Sequence, residues 1–308
     1  MTMTTATPTT QKPAATKSAF TDISGRRKSM NTFMTVIVYA AMALAFIPLV
    51  WVLVELLIRG SGVVFTADWW TKSQFRILYG DEGGGALHGI IGTLVQAVAA
   101  SVFSIPIGIF VAIYLVEYAG NSRLGKITTF MVDILSGVPS IVAALFIYSL
   151  WIVLLGQSRS GFAVALALVL LMVPIVVRNT EEMLRVVPQD LREASYALGV
   201  PKWKTIAKIV LPTALSGIVT GIMLAIARVM GESAPMLILV STVNRIEWNP
   251  FGASQSSLPL MMLDLYKSGT TGPAADKMWG AALTLVLLIA LINVAARVIS
   301  AKFSVKTH

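Results

Sequence analysis

Arg228 and Glu232 stand four residues apart in the run Ala-Arg-Val-Met-Gly-Glu-Ser-Ala-Pro, residues 227–235, which is otherwise apolar or small. A charge at the centre of a bilayer costs about 2.5–3.5 kcal/mol on insertion scales, so such residues turn to a bundle interior or a watery cavity. On a helix this spacing sets both on one face, where they can pair. A guanidinium is a planar fork of donors that fits an oxyanion. The pair reads in two ways. Either it is a structural ion pair that satisfies itself, or Arg228 engages a travelling anion while Glu232 holds Arg228 until the anion competes for it. Gly231 and Pro235 permit a local break and close helix packing.

Two further positions belong with this chemistry. Arg178 follows Pro174 near the end of an apolar run. It is a path residue or a snorkelling anchor. Ser140 follows Gly137 and Pro139, which interrupt another apolar run, and its hydroxyl lies beside loosened backbone. A half-helix N-terminus there attracts an anion, and a plain kink explains the same residues. Asp133 reads as a start-of-helix charge at the inner face, and Glu117 as a similar charge at the inner end of a span. His88 reads as an interfacial residue at the outer mouth. Other chemistries are excluded. There are no cysteines, and two histidines, His88 and His308, cannot build a histidine-rich metal site. No G-x-x-x-x-G-K-[ST] phosphate loop is present, so the chain does not bind and hydrolyse ATP in that way. No catalytic residue, cofactor or metal is expected.

A different kind of work is suggested by residues 192–212, REASYALGVPKWKTIAKIVLP, polar and basic between two apolar runs. Pro188, Gln189 and Asp190 open a short helix, since Pro suits a first turn and Asp the positive end. Gly199 and Pro201 close it. Leu191, Ala194, Ser195 and Leu198 share one face of it at helical spacing. That face is small and modestly apolar, suited to a groove on a soluble partner. Glu193 stands beside it for a basic group of that partner, and Gly199 permits a sharp turn, so the element can move as a rigid knob. The alternative is an amphipathic connector on the lipid surface, which Lys202, Trp203, Lys204 and Lys208 would suit.

These residues must be positioned by helices in a membrane. The chain is 56% hydrophobic and 13% charged, with a mean hydropathy of +0.78, whereas a soluble domain carries about 25% charged residues. The class is therefore all-α integral membrane. Runs near the 20 residues needed to cross lie at about 33–58, 90–116, 127–155 (interrupted at 136–139), 161–177, 214–240 and 279–299, six in all. Residues 1–31 are rich in Thr, Ala, Pro and Lys and are expected to be disordered. The run after them is too long for a signal peptide. Lys and Arg crowd one side: the N-terminal tail, Arg123 and Lys126, the loop holding Arg178, Arg185, Arg192, Lys202, Lys204 and Lys208, and the C-terminal end. The other side holds fewer, and the positive-inside rule then puts both termini in the cytoplasm. The net charge of +9 follows from this and does not point to nucleic acid. Trp69, Trp70 and Trp248, on the outer segments, suit a headgroup-level surface or a docking face for an external partner.

Glu193-Ala194-Ser195, Gly199 and Ile209-Val210-Leu211-Pro212 resemble, in order and spacing, the EAA loop of ABC importer permeases, whose short helix docks into an ATPase subunit. With GESAP after an arginine, SGVPSIVAAL at 136–145, GGGALHGIIGTL at 83–94 and the whole stretch 178–212, the chain is similar to the A-type permeases of the phosphate-specific ABC transporter over about residues 33–300. Ser233 stands where that family usually has Thr and keeps the hydroxyl. The resemblance implies a type I ABC importer permease fold and no enzymatic activity of the chain itself. It implies a tail at 1–31, a first helix and external loop at 32–87, a permease core at 88–300 containing the coupling loop at 188–212, and a C-terminal tail at 301–308. Its partners would be a second, C-type permease in a heterodimer, two ATP-binding subunits, an extracytoplasmic phosphate-binding protein, the lipid bilayer and inorganic phosphate, with no nucleic acid. Arg228, Glu232, Arg178 and Ser140 would line the substrate path. Asp190, Leu191, Glu193, Ala194 and Gly199 would serve ATPase coupling. Rival readings are a permease for molybdate, sulfate or an amino acid, an ATP-independent channel or secondary transporter, and a sensing scaffold.

Overall fold

The computed structural model describes residues 25–78 and 80–303. The expected tails therefore lie outside the described residues over 1–24 and 304–308, which include His308, and residues 25–31 and 301–303 are helical instead. The elements are α1 (Gly25–Val64), α2 (Ala67–Thr71), α3 (Leu87–Ile113), α4 (Arg123–Gly137), α5 (Ser140–Ile147), α6 (Gly161–Val186), α7 (Gln189–Ala197), α8 (Lys202–Thr205), α9 (Leu211–Met230), α10 (Ala234–Leu239), α11 (Leu258–Ser268) and α12 (Gly272–Phe303). Three π-helical turns, Tyr114–Tyr118, Tyr148–Leu154 and Ile206–Val210, extend α3, extend α5 and join α8 to α9. No strand occurs among the described residues.

Two units divide at Leu53 and Val54. The described part of the first is the leading stretch of α1, exposed along its whole length from residue 25 to 53. Apolar side chains pointing outward are what a helix in hydrocarbon requires, because its backbone is satisfied within the helix.

The second unit holds the rest. Its central pair is α3 against α6. The two helices approach closely because Gly108 has no side chain: a Cβ there would stand 2.6 Å from Val176 Cγ1. Small residues serve the same end where α1 meets α12, since a Cβ on Gly60 would lie 2.8 Å from the Trp279 carbonyl. One core cluster joins α3, α5, α6, α9 and α10 around Leu168 and Met172. A second joins the end of α1, Trp69, the start of α3, α11 and α12. A third, with Leu184, Val187 and Val210, gathers the ends of α3 and α6 and the start of α9.

Five helices are long and apolar enough to cross a membrane, and a sixth candidate is the pair α4 and α5, bent by 103°. Helices α3 and α6 run in the same direction: Phe103 stacks edge-on to Phe162, Gly108 meets Val176, and Glu117 lies at the level of Leu184 through Arg192. The chain must therefore return across the bilayer between Tyr118 and Gly161, and the bent pair makes that crossing. The expected six spans stand, with shifted ends. The fourth runs on to Val186, the fifth starts at Lys202 and stops at Met230, and the last starts at Gly272.

The segments expected on the outer side are more folded than interfacial loops would be. Trp69 is fully buried and donates from Nε1 to Thr284 Oγ1 at 2.8 Å, so it anchors the core rather than the headgroup level. Residues 255–257 are buried against α3: Gln96 Nε2 donates to the Gln255 carbonyl at 3.2 Å, and Leu258 N donates to Thr93 Oγ1 at 2.9 Å. Lys277 pins the glycine-rich loop before α3 by donating to the Asp81 carbonyl at 2.6 Å. His88 is buried in the first turn of α3 rather than interfacial.

Candidate functional site

Two helix breaks frame the intramembrane charges. Helix α9 ends at Met230, with Gly231 accepting the chain's turn and Pro235 in the first turn of α10. Proline supplies no N–H, so the α9 ladder cannot run through it. Arg228 therefore sits in the last turn of α9 with an exposed side chain, and Glu232 lies beyond the helix, half-buried. The expected pair on one helical face does not form: no ion pair joins them among the described residues, because the four-residue rule holds only while the helix continues.

The second break is at Val138 and Pro139, both extended, after which α5 starts at Ser140. Ser140 is half-buried. Helix α10 packs on α5, so the segments that follow the two breaks are neighbours. Ser140, Arg178 and Arg228 are not bonded to one another among the described residues.

Arg178 is no simple snorkelling anchor. Its Nη1 donates to Glu181 Oε2 at 2.8 Å and its Nη2 to Asp133 Oδ1, while Arg185 donates to Glu181 Oε1 at 2.7 Å. Two acids and two bases alternate across α4 and α6. Asp133 is thus a mid-helix residue bonded to Arg178, not a start-of-helix charge. Glu181 is the buried member.

The polar loop forms the helix the sequence predicts. Pro188 caps α7, and Asp190 lies in its first turn. Gly199 has φ +75°, Val200 N donates to the Ser195 carbonyl at 3.2 Å, and Gly199 N donates to the Tyr196 carbonyl at 2.9 Å. These two bonds are a Schellman close, which needs a left-handed residue at that position. The expected face divides. Leu191, Glu193, Ala194 and Leu198 are exposed, Leu198 at 83%, whereas Ser195 is buried and shares a hydrogen bond with Thr205 Oγ1 at 2.8 Å.

Sequence reasoning missed Arg192 and Glu117 as partners. Arg192 is 7% exposed and its Nη2 lies 3.0 Å from Glu117 Oε1. The signal available was a lone carboxylate closing an apolar run, which cannot stay buried without a partner.

The family described as binding-protein-dependent transport system inner membrane component matches residues 104–305. The phosphate transport system permease protein PstA 1 of Mycobacterium tuberculosis (strain ATCC 25618 / H37Rv) is 51% identical over 282 residues, covering 91% of this chain and 90% of that protein. PstA of Yersinia pestis is 38% identical over 279 residues, covering 90% and 92%. Among solved structures, the inward-facing MetNI methionine ABC transporter matches with a TM-score of 0.56 at 24% identity, over 72% of this chain and 95% of that one. A bacterial ABC transporter involved in the import of the acidic polysaccharide alginate matches with a TM-score of 0.58 at 16% identity, over 90% and 99%. These structures share the fold. Six crossings, a capped helix exposed between the fourth and fifth, and 51% identity to a relative aligned over nine-tenths of the chain lead to one assignment: the chain belongs to the binding-protein-dependent inner membrane components, among the PstA-type permeases of phosphate transport systems.

Proposed function

We propose that this chain is the transmembrane permease subunit of an ATP-driven, high-affinity importer of inorganic phosphate, forming the translocation path and coupling to a separate ATPase. The observation that carries the reading is α7, an exposed, rigidly capped helix between two spans in a permease whose relatives are phosphate transport proteins. Its partners are a second, C-type permease, a pair of ATP-binding subunits seated on Asp190, Leu191, Glu193, Ala194 and the Gly199 turn, and an extracytoplasmic phosphate-binding protein. It resides in the cytoplasmic membrane of a prokaryote. Six crossings leave both termini on one side, and the basic residues make that side cytoplasmic.

ATP binding closes the two ATPases and carries α7 with them. The permease halves then open outward, and phosphate released by the binding protein enters beside Arg228, exposed at the α9 break. Arg178 and Ser140 lie on elements next to that opening, with Glu232 at its rim. Hydrolysis resets the halves and phosphate leaves inward. This is alternating access by rocking of two bundles, driven by the ATPases' unequal affinity for the two arrangements.

The test is uptake of labelled phosphate into proteoliposomes holding this chain, its partner permease, the ATPase and the binding protein, with ATP on the ATPase side. ATP-dependent uptake that sulfate and molybdate fail to compete supports the reading. Competition by either anion, or transport of an amino acid, assigns another importer. Uptake without ATP assigns a channel or secondary carrier.

A further inference from the structure

Two polar links, rather than an apolar interface, hold α7 to the spans. Of its nine residues only Arg192 and Ser195 are buried. Ser195 reaches Thr205, on the arm leading to α9. Arg192 makes the other link with its whole guanidinium. Nε and Nη2 donate to Glu117 Oε1 at 3.1 and 3.0 Å, Nη1 donates to the Val187 carbonyl at 2.7 Å, and Nη2 also donates to the Leu184 carbonyl at 2.9 Å. One side chain thereby joins α7 to the end of α6 and the inner end of α3. Glu117 lies on the π-helical turn Tyr114–Tyr118, where a widened turn re-aims side chains. Lys202, on the far side of Gly199, donates to the Glu117 carbonyl, so both flanks of the loop grip one residue. The link borders a cavity of about 590 Å³ lined in part by Gln189, Tyr196 and Lys202, and close apolar packing does not replace it there.

We propose that Arg192 and Glu117 are the positioning pair through which movement of α7 is transmitted to α3, distinct from the exposed face that would meet the ATPase. The proposal rests on the coupling role given to α7 above. A planar group with fixed donors sets orientation as well as distance, which a lysine does not. Both charges are buried, and separating them would strand each in a poor solvent. The pair therefore stays closed and its two helix ends move together.

The assembled transporter tests this by ATP hydrolysed per phosphate imported. R192M and E117Q are expected to keep assembly and hydrolysis near the parent's while uptake falls about tenfold, within the range of ordinary coupling free energies. R192K is expected to fall between them and the parent. R192M/E117Q is expected to be no worse than R192M, because the two residues act as one unit. An unchanged ratio in R192M, parallel loss of hydrolysis and uptake with loss of assembly, or additive effects in the double variant would each overturn the proposal. A second readout does not depend on phosphate. The chain has no cysteines, so spin labels at Q189C, exposed and outside the face that would meet the ATPase, and at F110C report the α7 to α3 distance once the partner chains are freed of reactive thiols. ATP added to the assembled complex should shift a narrow distance in the parent and leave a broad, unresponsive one in R192M. An identical response in both would overturn the pair. A shift in the parent without phosphate import would retain the pair and remove the phosphate assignment.

Discussion

At the scale of single residues, Arg228 and Glu181 make the contrast that matters. Arg228 is exposed at a helix end with no ion-pair partner among the described residues, a basic group free to meet an anion. R228Q is expected to reduce phosphate uptake by about tenfold or more, the loss of a charge-assisted contact to the substrate, while the subunits still co-purify. Normal uptake by R228Q would remove Arg228 from the path. Glu181 is buried between Arg178 and Arg185 and does structural work. E181Q is expected to destabilise the purified chain by about 1–3 kcal/mol, the cost of leaving charged donors unmatched, whereas E232Q, whose carboxylate holds no arginine among the described residues, is expected to melt near the parent temperature. Thermal unfolding in detergent decides between them.

Helices and turns behave according to what their backbones need. Gly199 has φ +75° with open space where a Cβ would stand, so only backbone strain opposes a side chain. G199A is expected to cost about 1–2 kcal/mol of left-handed strain and to fray the end of α7, seen as more ATP hydrolysed per phosphate moved. Gly108 is the opposite case. Its backbone is ordinary helix, but a side chain would strike Val176 on α6. G108V is expected to destabilise by about 1–3 kcal/mol through overpacking, read as a lowered melting temperature with ATP coupling unchanged in the surviving complexes.

For the whole molecule the testable property is sidedness. The parallel pair α3 and α6 requires the bent α4 and α5 to cross between them, which makes six crossings. In the cysteine-free parent, F65C is expected to react with an impermeant thiol reagent from outside intact cells, and L198C only after permeabilisation. Labelling of L198C from outside would invert the orientation and place the ATPases on the wrong face.

The membrane class, the number of spans, the breaks at Pro139 and Gly231 and the limits of α7 were legible in the chain alone. Each depends on local properties: hydropathy over one helix length, a proline without a donor, a glycine at a left-handed turn. The loop's likeness to importer permeases belongs with these, being a matter of order and spacing. What only the tertiary structure decided are the partnerships. Arg192 finds Glu117 across 75 positions, Arg178 finds Asp133 across 45, and Trp69 finds Thr284 across 215. The Arg228 and Glu232 pair, plausible from spacing, dissolves because the helix that would have aligned them stops between them. Spacing determines which side chains share a face while one helix lasts; which buried charge meets which is decided by how separate helices pack, because each needs a partner once water is excluded.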